Sequence, residues 1–236
     1  MMYSIERHKE ILSVLEKNSN VSVHKLAKLL FTSESTVRRD LTELERQGKI
    51  RRTFGGAVLS DDQTKEIPLI LRQSRNLKEK RELATKAVSK IRDGSILFFD
   101  ASSTILQLVP HLSKFHNLTV ITNGPLTSME LAKLHVQTYC TGGKLLPNSL
   151  AYVGADAENF LRNINADAMF ASCRGLSDDG LLTDSSLEES HIRKIMIQQS
   201  KEQYFILDSE KLHSTYFYTI TKSDRITEII TSVEEN

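Results

Sequence analysis

The chain has 236 residues, of which 39% are apolar and 26% charged, proportions that are ordinary for a globular protein with a real core. The N-terminal stretch MMYSIERHKE lacks the basic-then-apolar pattern of a signal peptide, and no apolar run approaches membrane-spanning length. We therefore expect a cytoplasmic protein rather than a secreted or membrane-spanning one.

The sequence gives no sign of a metal or redox centre. It contains two cysteines, Cys140 and Cys173, whose spacing is typical neither of a metal site nor of a redox pair. We expect both thiols to be reduced and buried, and we expect neither a bound metal nor a cofactor.

The net charge of +1 hides an asymmetry along the chain. Residues 1–60 contain 11 Lys and Arg against 7 Asp and Glu, a balance of +4, whereas the remaining residues contain 20 against 23, a balance of −3. This excess predicts that the N-terminal part meets a polyanion. A solvated basic surface would give the same count, so the charge alone does not decide.

Three short helices and a hairpin are predicted at the N-terminus. Residues 4–18 carry an apolar stripe, and Ser22 is placed to cap a second helix with apolar residues at i, i+3, i+4 and i+7. Ser33 is placed to cap a third helix that ends near Gly48. The stretch KIRRTFGGAV then alternates β-prone residues around a glycine pair, as a hairpin does. Three helices and a hairpin predict an α+β winged helix-turn-helix domain.

The third helix has two different sides. On a helical wheel, Val37, Leu41 and Leu44 lie together on the side that packs inward. Asp40 lies towards the same side, and we predict for it a structural ion pair. The opposite side and its flanks present hydroxyls and guanidinium groups from Ser35, Thr36, Arg38, Arg39, Thr42 and Arg46.

We predict that this polar side reads DNA. The N-terminal half of a recognition helix reaches base edges in the major groove, where arginine pairs with guanine, and a basic hairpin contacts phosphates. The alternative, merely solvated helix cations, is weakened because helix length, small hydroxyls and a basic hairpin coincide. Arg39 faces fully outward and is favoured as the base reader. The residues predicted to contact DNA are Ser33, Ser35, Thr36, Arg38, Arg39, Thr42, Arg51, Arg52 and Thr53.

The N-terminal segment also resembles a known family. The stretch TVRRDLTELERQGKIRRTFGGA, with the helices before it, closely resembles the DNA-binding domain of the DeoR family of bacterial transcription regulators. This resemblance implies a double-stranded DNA operator as partner and maps DNA binding to about residues 20–39. The family usually has histidine where Phe54 stands, so we expect an altered contact of the wing.

The pattern changes after a polar stretch that contains Pro68. We predict a DNA-binding domain over residues 1–58, a linker over 59–74 and an effector domain over 75–236. In the effector domain, apolar strand candidates alternate with helical stretches, which predicts an α/β fold with a mainly parallel sheet covered on both faces. The strand candidates are residues 95–100, 118–122, 136–141, 166–172, 202–208 and 228–231.

The end of the first of these strands suggests a ligand site. Asp100 ends the strand, and Ser102, Ser103 and Thr104 open the next helix. Hydroxyls and free amides at a helix start suit a phosphate, and a carboxylate accepts hydrogen bonds from sugar hydroxyls. Simple helix capping explains the same hydroxyls equally well.

Other polar residues follow the later strands or lie on the helix predicted over 185–200. Ligands of open α/β sheets bind at the carboxyl ends of strands, so we predict that these residues converge with Asp100 on one effector site. A turn or surface role is the alternative for each of them. They are Thr122, Asn123, Gly142, Gly143, Arg174, Gly175, Glu189, Arg193, Asp208 and Lys211.

Residues 75–232 resemble the DeoR C-terminal sensor domain, which is similar in fold to ribose-5-phosphate isomerases and CoA transferases. The motifs FDASST, TVITNG, TGGK, EESHIRKIM and LDSEKL carry this resemblance. Two segments depart from the family pattern. The family commonly has Asp-x-Gly-Thr-Thr at residues 100–104, and often Gly-Ala-Asp-Gly at residues 172–175. Arg174 in place of an acid predicts a second contact with an anion.

We therefore predict a transcriptional regulator without enzymatic activity. More specifically, we expect a repressor of carbohydrate-metabolism genes that binds a phosphorylated sugar or related metabolite and acts as a homodimer or tetramer. The alternative is a sugar-phosphate isomerase with an accessory DNA-binding module, in which a carboxylate and a lysine transfer a proton. No segment groups acid and base residues compactly enough to favour it. The sequence does not distinguish repression from activation.

Overall fold

The computed structural model describes residues 4–17, 21–47, 49–53, 56–59 and 67–232. The chain divides into two compact units, Met1–Lys65 and Glu66–Asn236, and each is described by itself. The predictions made for Gly48 and Phe54, and for residues 60–66 of the linker, lie outside the described residues.

The first unit is a winged helix-turn-helix, as the sequence predicts. Strands β1 and β2 both pair antiparallel with β3, so a small sheet closes the three-helix core. The elements are α1 (Ser4–Lys17), β1 (Val21–Ser22), α2 (Val23–Leu29), α3 (Glu34–Arg46), β2 (Ile50–Thr53) and β3 (Gly56–Leu59).

Two serines fix the starts of α2 and α3. The Ser22 hydroxyl accepts a hydrogen bond from the Lys25 amide at 3.2 Å, and the Ser33 hydroxyl accepts one from the Thr36 amide at 3.2 Å. Each cap satisfies a backbone donor that the first helical turn leaves unpaired. Both predicted N-caps are thus confirmed.

A buried ion pair joins the first and third helices. The Arg7 guanidinium donates to both carboxylate oxygens of Asp40, at 2.7 and 2.9 Å, and the His8 imidazole lies 3.2 Å from one of them. Hydrogen bonding to Asp40 raises the pKa of Arg7. The structural ion pair predicted for Asp40 is confirmed. It fastens the inner side of α3 to α1.

The second unit contains a six-stranded sheet in the order β14-β12-β9-β4-β5-β6, with every neighbouring pair parallel. All six strands coincide with strand candidates from the sequence. They are β4 (Ile96–Phe99), β5 (Thr119–Thr122), β6 (Gln137–Cys140), β9 (Ala166–Ala171), β12 (Ser200–Leu207) and β14 (Glu228–Thr231).

Helices connect these strands, and short antiparallel strands that the sequence did not suggest lie outside the main sheet. The helices are α4 (Leu69–Ser74), α5 (Leu77–Val88), α6 (Pro125–Lys133), α7 (Ala155–Arg162) and α8 (Leu187–Gln198). The additional strands are β7 (Lys144–Leu146), β8 (Ala151–Val153), β10 (Gly175–Leu176), β11 (Leu181–Asp184) and β13 (Tyr218–Lys222).

Alternate residues of the central strands enter separate cores on the two faces of the sheet. Leu97 and Phe99 pack in one core together with residues of α5, whereas Phe98 packs in the other with residues of α7 and α8. Because strand side chains alternate between faces, a sheet covered on both sides needs continuous apolar strands. This requirement explains why the strands could be recognised from the sequence.

Three details differ from expectation. The predicted helix after Ser102 is a 3₁₀-helix, Ile105–Lys114, and it contains Pro110, which has no amide to donate to a helical hydrogen bond. The predicted linker overlaps α4, where the Leu69 side chain is buried, so the second unit begins before residue 75. Cys173 is buried as expected, but Cys140 is half-buried because it lies on an edge strand.

Replacing Asp40 by alanine should destabilise the first unit, because Arg7 would lose its carboxylate partner while remaining largely shielded from water. We expect a loss of about 2–3 kcal/mol of unfolding free energy. Urea unfolding of the full chain, followed by circular dichroism, measures it. The matched control is Glu43→Ala, which removes an exposed pair with Arg46 and should change stability by less than about 0.5 kcal/mol. Equal effects of the two substitutions would contradict the structural role of Asp40.

Candidate functional site

The outer side of α3 presents the polar residues predicted to meet DNA. Ser35, Arg38, Arg39 and Thr42 are exposed, and Thr36 is half-buried. Val37, Leu41 and Leu44 are fully buried on the inner side of the helix. The helical wheel is therefore confirmed, and the DNA-contact roles remain predictions.

The two neighbouring arginines of α3 have different surroundings. The Arg38 guanidinium lies 3.4 Å from the Glu34 carboxylate, one helical turn earlier. In the part of the chain that the structure describes, the Arg39 side chain makes no such pair. Arg39 can therefore meet an incoming acceptor without first leaving an intramolecular carboxylate.

The hydroxyls at the start of α3 bind one another. The Ser33 hydroxyl lies 2.9 Å from that of Ser35 and 2.8 Å from that of Thr36, in addition to capping the helix. Ser33 thus has a structural function as the cap, whatever it contributes to DNA binding.

The wing lies beside α3. The Arg52 amide donates to the Glu45 carboxylate at 2.9 Å, and the Arg52 guanidinium donates to the Thr42 hydroxyl at 3.3 Å. The predicted wing arginine Arg52 is therefore joined to the recognition helix. The side chains of Arg51 and Thr53, for which DNA contacts are also predicted, lie outside the described residues.

A charged cavity opens in the second unit beside the carboxyl ends of β4, β9 and β12. Predicted effector residues that line it are Ser102, Ser103, Arg174, Glu189, Arg193, Asp208 and Lys211. Sequence reasoning did not identify the other polar lining residues, which are Arg72, Arg75, Asn76, Lys80, Ser172, Asp184, Glu210 and Tyr216.

The floor of the cavity is built around the buried side chain of Arg193. Its Nε donates to Asp100 at 2.9 Å, its Nη1 donates to Asp184 at 2.9 Å, and its Nη2 lies 3.6 Å from Glu189. Burial alone would lower the pKa of Arg193, but the three carboxylates raise it above its ordinary value. The guanidinium therefore stays charged and fixes the three acids in place.

Asp100 lies under the cavity and supports its walls. Its carboxylate accepts hydrogen bonds from the amides of Ser102, at 3.0 Å, and Ser172, at 3.2 Å. These amides begin the loops after β4 and β9. Asp100 is therefore a support for these loops and does not itself line the cavity, which differs from the predicted role as acceptor of sugar hydroxyls.

Two lysines converge on hydroxyl groups at one end of the cavity. The Lys211 ammonium donates to Ser172 at 2.6 Å and to Thr104 at 3.1 Å, and the Lys80 ammonium donates to Ser103 at 3.3 Å. Burial, reinforced by the positive charge of Lys211, lowers the pKa of Lys80 to about 8. The two ammonium groups and the hydroxyls of Ser103 and Ser172 form a site suited to a small anion, whereas the predicted effector residue Thr104 is fully buried and does not line the cavity.

The carboxylates around the cavity are held in ion pairs. Asp208 lies 3.3 Å from the Lys211 ammonium, and Glu210 lies 2.6 Å from the Arg75 guanidinium. Burial by itself would raise the pKa of Asp208, but Lys211 and the nearby Lys80 hold it below its ordinary value. Burial raises the pKa of the Cys173 thiol to about 12, so this lining residue is an inert thiol at neutral pH.

Five predicted effector residues lie away from the cavity wall. Thr122 bonds the Gly124 amide, and Asn123 exchanges backbone and side-chain bonds with Tyr152 of β8. Gly142 and Gly143 have positive φ, and a Cβ on Gly143 would lie 2.7 Å from the Val153 oxygen. The convergence predicted for them is wrong, because the β7–β8 hairpin packs at the ends of β5 and β6. The fifth is Gly175, which is buried against the backbone of residue Ser214.

No helix in the described ranges combines the length and apolar character needed to cross a membrane. Within those same ranges, no cluster of histidine, cysteine and carboxylate groups is arranged to hold a metal ion.

A winged helix-turn-helix with an exposed cationic helix, followed by an α/β unit with a charged cavity, defines a class of DNA-binding transcriptional regulators that carry a sensor domain. Residues 7–63 match the DeoR-like helix-turn-helix domain, and residues 75–233 match the DeoR C terminal sensor domain. The chain belongs to the DeoR family of transcriptional regulators.

Full-length relatives support this assignment. The chain is 33% identical over 236 residues to the HTH-type transcriptional regulator GolR of Listeria innocua, covering 100% of this chain and 93% of that one. It is 30% identical to the HTH-type transcriptional regulator GlpR of Haloferax volcanii, covering 98% and 90%. It is 31% identical to a lactose phosphotransferase system repressor of Staphylococcus epidermidis, covering 98% and 92%. Relatives named as regulators place the chain among regulators rather than enzymes.

Solved structures with partial likeness include a D-ribose-5-phosphate isomerase in complex with phospho-erythronic acid. It has a TM-score of 0.45 and 10% sequence identity, over 58% of this chain and 54% of that chain. A 4-hydroxybutyrate CoA-transferase from Porphyromonas gingivalis has a TM-score of 0.44 and 11% identity, over 65% and 46%.

Replacing Arg193 by methionine should destabilise the chain, because three buried carboxylates would lose their shared counter-charge. We expect a loss of about 3–5 kcal/mol of unfolding free energy near pH 7. Without Arg193, three buried negative charges are left without their shared cation, and binding of protons removes these charges. The folded state then binds more protons, so the deficit relative to wild type should shrink as the pH falls from about 7 to about 5.

Urea unfolding of both proteins at the two pH values measures this deficit. Arg162→Met is the control, since Arg162 forms only an exposed pair with Glu158 at 3.5 Å. A deficit that stays constant with pH would show that the acids do not carry the effect.

Proposed function

We propose that this regulator is a cytoplasmic repressor of carbohydrate-metabolism genes, and that a phosphorylated sugar bound in the charged cavity controls its binding to a DNA operator. The observation that carries the proposal is the convergence of Lys80 and Lys211 on the hydroxyls of Ser103, Thr104 and Ser172. The name of the staphylococcal relative, a lactose phosphotransferase system repressor, supports repression and the sugar-related setting.

The cavity suits both parts of a sugar phosphate. The lysine ammonium groups and the hydroxyls supply donors for phosphate oxygens. Asp184 and Glu189, fixed by Arg193, present carboxylate oxygens that accept hydrogen bonds from sugar hydroxyls. A phosphate binds at one end, and the sugar ring lies over the acidic floor.

A segment next to the DNA-binding unit in sequence offers a route for control. Arg72, Arg75 and Asn76 line the cavity; Arg72 belongs to α4, and the other two connect α4 to α5. The Lys80 ammonium also donates to the Arg72 carbonyl oxygen at 2.6 Å. A bound phosphate competes for that ammonium. Ligand binding therefore weakens the bond between Lys80 and the Arg72 carbonyl of α4. The arrangements of α4 with and without this bond then differ in ligand affinity, as control of DNA binding requires.

We further propose that the protein binds DNA as a homodimer or tetramer. Helix-turn-helix proteins commonly read two half-sites related by symmetry, and one short recognition helix reaches only a few base pairs. Sedimentation of the protein with and without operator DNA measures the assembly. A monomer that binds its operator tightly would contradict this part of the proposal.

Replacing Arg39 by alanine should weaken binding to a duplex that the protein selects from a random-sequence pool. We expect a loss of about 1–3 kcal/mol in specific binding and a relaxed preference at one base position. Arg51→Ala should instead weaken binding to all sequences and reduce the salt slope by about one unit.

Fluorescence anisotropy with selected and scrambled duplexes at several salt concentrations measures both quantities. The matched control is Arg46→Ala on the same helix, because Arg46 is held by Glu43 at 2.7 Å. Equal loss of specific and non-specific binding in the Arg39 and Arg51 variants would contradict the division between base and phosphate contacts.

Ligand binding should depend on the protonation of Lys80. A panel of phosphorylated sugars screened by thermal shift first identifies a ligand. Its phosphate should raise the pKa of Lys80 from about 8, so binding near pH 8 takes up about half a proton. The affinity should fall by up to about tenfold between about pH 7 and about pH 9. The phosphate, with a second pKa near 6, is already about nine-tenths dianionic at pH 7, so its own ionisation changes the affinity little over this range.

Calorimetry in two buffers of different ionisation enthalpy measures the proton uptake. Lys80→Met should weaken binding and abolish the uptake, whereas Lys133→Met, which removes an exposed lysine paired with Glu130, should leave both unchanged. If no phosphorylated sugar binds, the effector proposal fails.

A further inference from the structure

A second cation lines the cavity and is built by different elements from the lysine site. The Arg174 guanidinium lies 5.2 Å from the centre of the Tyr216 ring and donates to the Ser185 hydroxyl at 3.3 Å. Lys80 and Lys211, by contrast, bind the hydroxyls after β4 and β9. The cavity therefore has two cationic positions, and the contacts named for Arg174 come from other elements than those of the two lysines.

The position of Arg174 is fixed by the short antiparallel sheet. The Arg174 amide donates to the Thr183 carbonyl at 3.0 Å, and Gly175 pairs with Thr183 across β10 and β11. The Thr183 hydroxyl in turn accepts from the Tyr216 amide at 3.0 Å. One residue of β11 thus holds both the arginine and the tyrosine beneath it.

Gly175 makes this arrangement possible. A Cβ there would lie 2.4 Å from the Ser214 carbonyl oxygen and 2.9 Å from the Tyr216 ring. Only a residue without a side chain lets the segment before β13 pass this close. The ring of Tyr216 is therefore held under the Arg174 guanidinium by backbone packing, and the guanidinium gains a flat support.

The acidic floor is connected to both cationic positions. Asp184 binds Arg193 and directly precedes Ser185, which Arg174 binds, while Asp100 binds the amide of Ser172, whose hydroxyl binds Lys211. The carboxylates of the floor repel an anion, so the anionic groups of a ligand have favourable partners at the two lysines and at Arg174. Arginine offers a planar fork of donors that matches a carboxylate or a phosphate. A ligand with anionic groups at both ends and hydroxyls between them complements every part of the cavity.

We propose that the effector is a sugar phosphate with a second anionic group, either another phosphate or a carboxylate, and that Arg174 selects it. The first phosphate binds Lys80 and Lys211, and the second anion binds Arg174. This inference rests on the proposed function, because it concerns the ligand of the same cavity.

The test compares matched ligands on the full-length protein by calorimetry. The probes are the mono- and bisphosphates of glucose, fructose and ribulose, with 6-phosphogluconate as the acid counterpart of glucose 6-phosphate. For at least one sugar, the doubly anionic form should bind wild type about tenfold or more tightly than the monophosphate, the gain of one charge-assisted contact. The bisphosphate and carboxylate arms distinguish the two kinds of second anion.

Arg174→Gln should remove this preference while leaving the monophosphate affinity within about twofold, and Arg174→Lys should restore part of it because the charge returns without the fork. Lys211→Met should weaken all the ligands alike. Thermal unfolding of each variant checks that it is folded.

Equal affinities for monophosphates and doubly anionic ligands in wild type would overturn the inference and leave the proposed function intact. The same holds if Arg174→Gln weakens both kinds of ligand equally. If no probe binds wild type, the proposed function and this inference fail together.

Discussion

The buried ion cluster of Arg193 is the interaction on which the second unit depends. A guanidinium buried without partners would cost several kcal/mol, and so would each of the three carboxylates that it binds. Together they are compatible with burial, and they join α8 to the ends of β4 and β11. Asp100 extends this network, because its carboxylate oxygens also accept hydrogen bonds from the amides of Ser102 and Ser172, which begin two loops. The positions of the loops that form the cavity walls thus depend on the charge of the Arg193 guanidinium.

Arginine has two contrasting roles in this chain. Arg7 and Arg193 are structural, because Arg7 is largely shielded and paired with Asp40, and Arg193 is buried among three carboxylates. Arg39 is exposed on the outer side of α3 and is available to a partner. The residue type is the same in all three cases, and burial together with the nearest carboxylate separates the roles. Of these three arginines, only Arg39 could be assigned to the inner or outer side of its helix from helical spacing alone. The positions of Arg7 and Arg193 depend on contacts with residues distant in sequence.

Much of the fold could be predicted from local sequence patterns. The six parallel strands are continuous apolar runs because both faces of the sheet are covered, and the helices of the first unit have serine caps and regular apolar spacing. The short strands β7, β8, β10 and β11 could not be predicted in this way. They have two to four residues each, too few for a periodic pattern, and they are held by tertiary packing.

The candidate site was only partly predictable for a related reason. Strand ends point to Arg174, Asp208 and Lys211. Thr122 and Asn123 also lie at a strand end, but Thr122 binds the Gly124 amide and Asn123 binds Tyr152 of the β7–β8 hairpin. Conversely, sequence reasoning missed Lys80, which lies in the first turn of α5, because a lysine on a helix normally faces solvent. Its burial depends on the packing of α5 against the loop after β4, a contact that no local pattern signals.

The bond from Lys80 to the Arg72 carbonyl has a consequence for the dose response of the regulator. If the ligand weakens operator binding through this bond, then operator binding must weaken ligand binding by the same factor, because coupling free energy is reciprocal. The metabolite concentration needed to release the protein from its operator would then rise with the fraction of protein molecules already bound to DNA. A cell with many operators would respond at a higher metabolite concentration than a cell with few, although the protein molecules are identical.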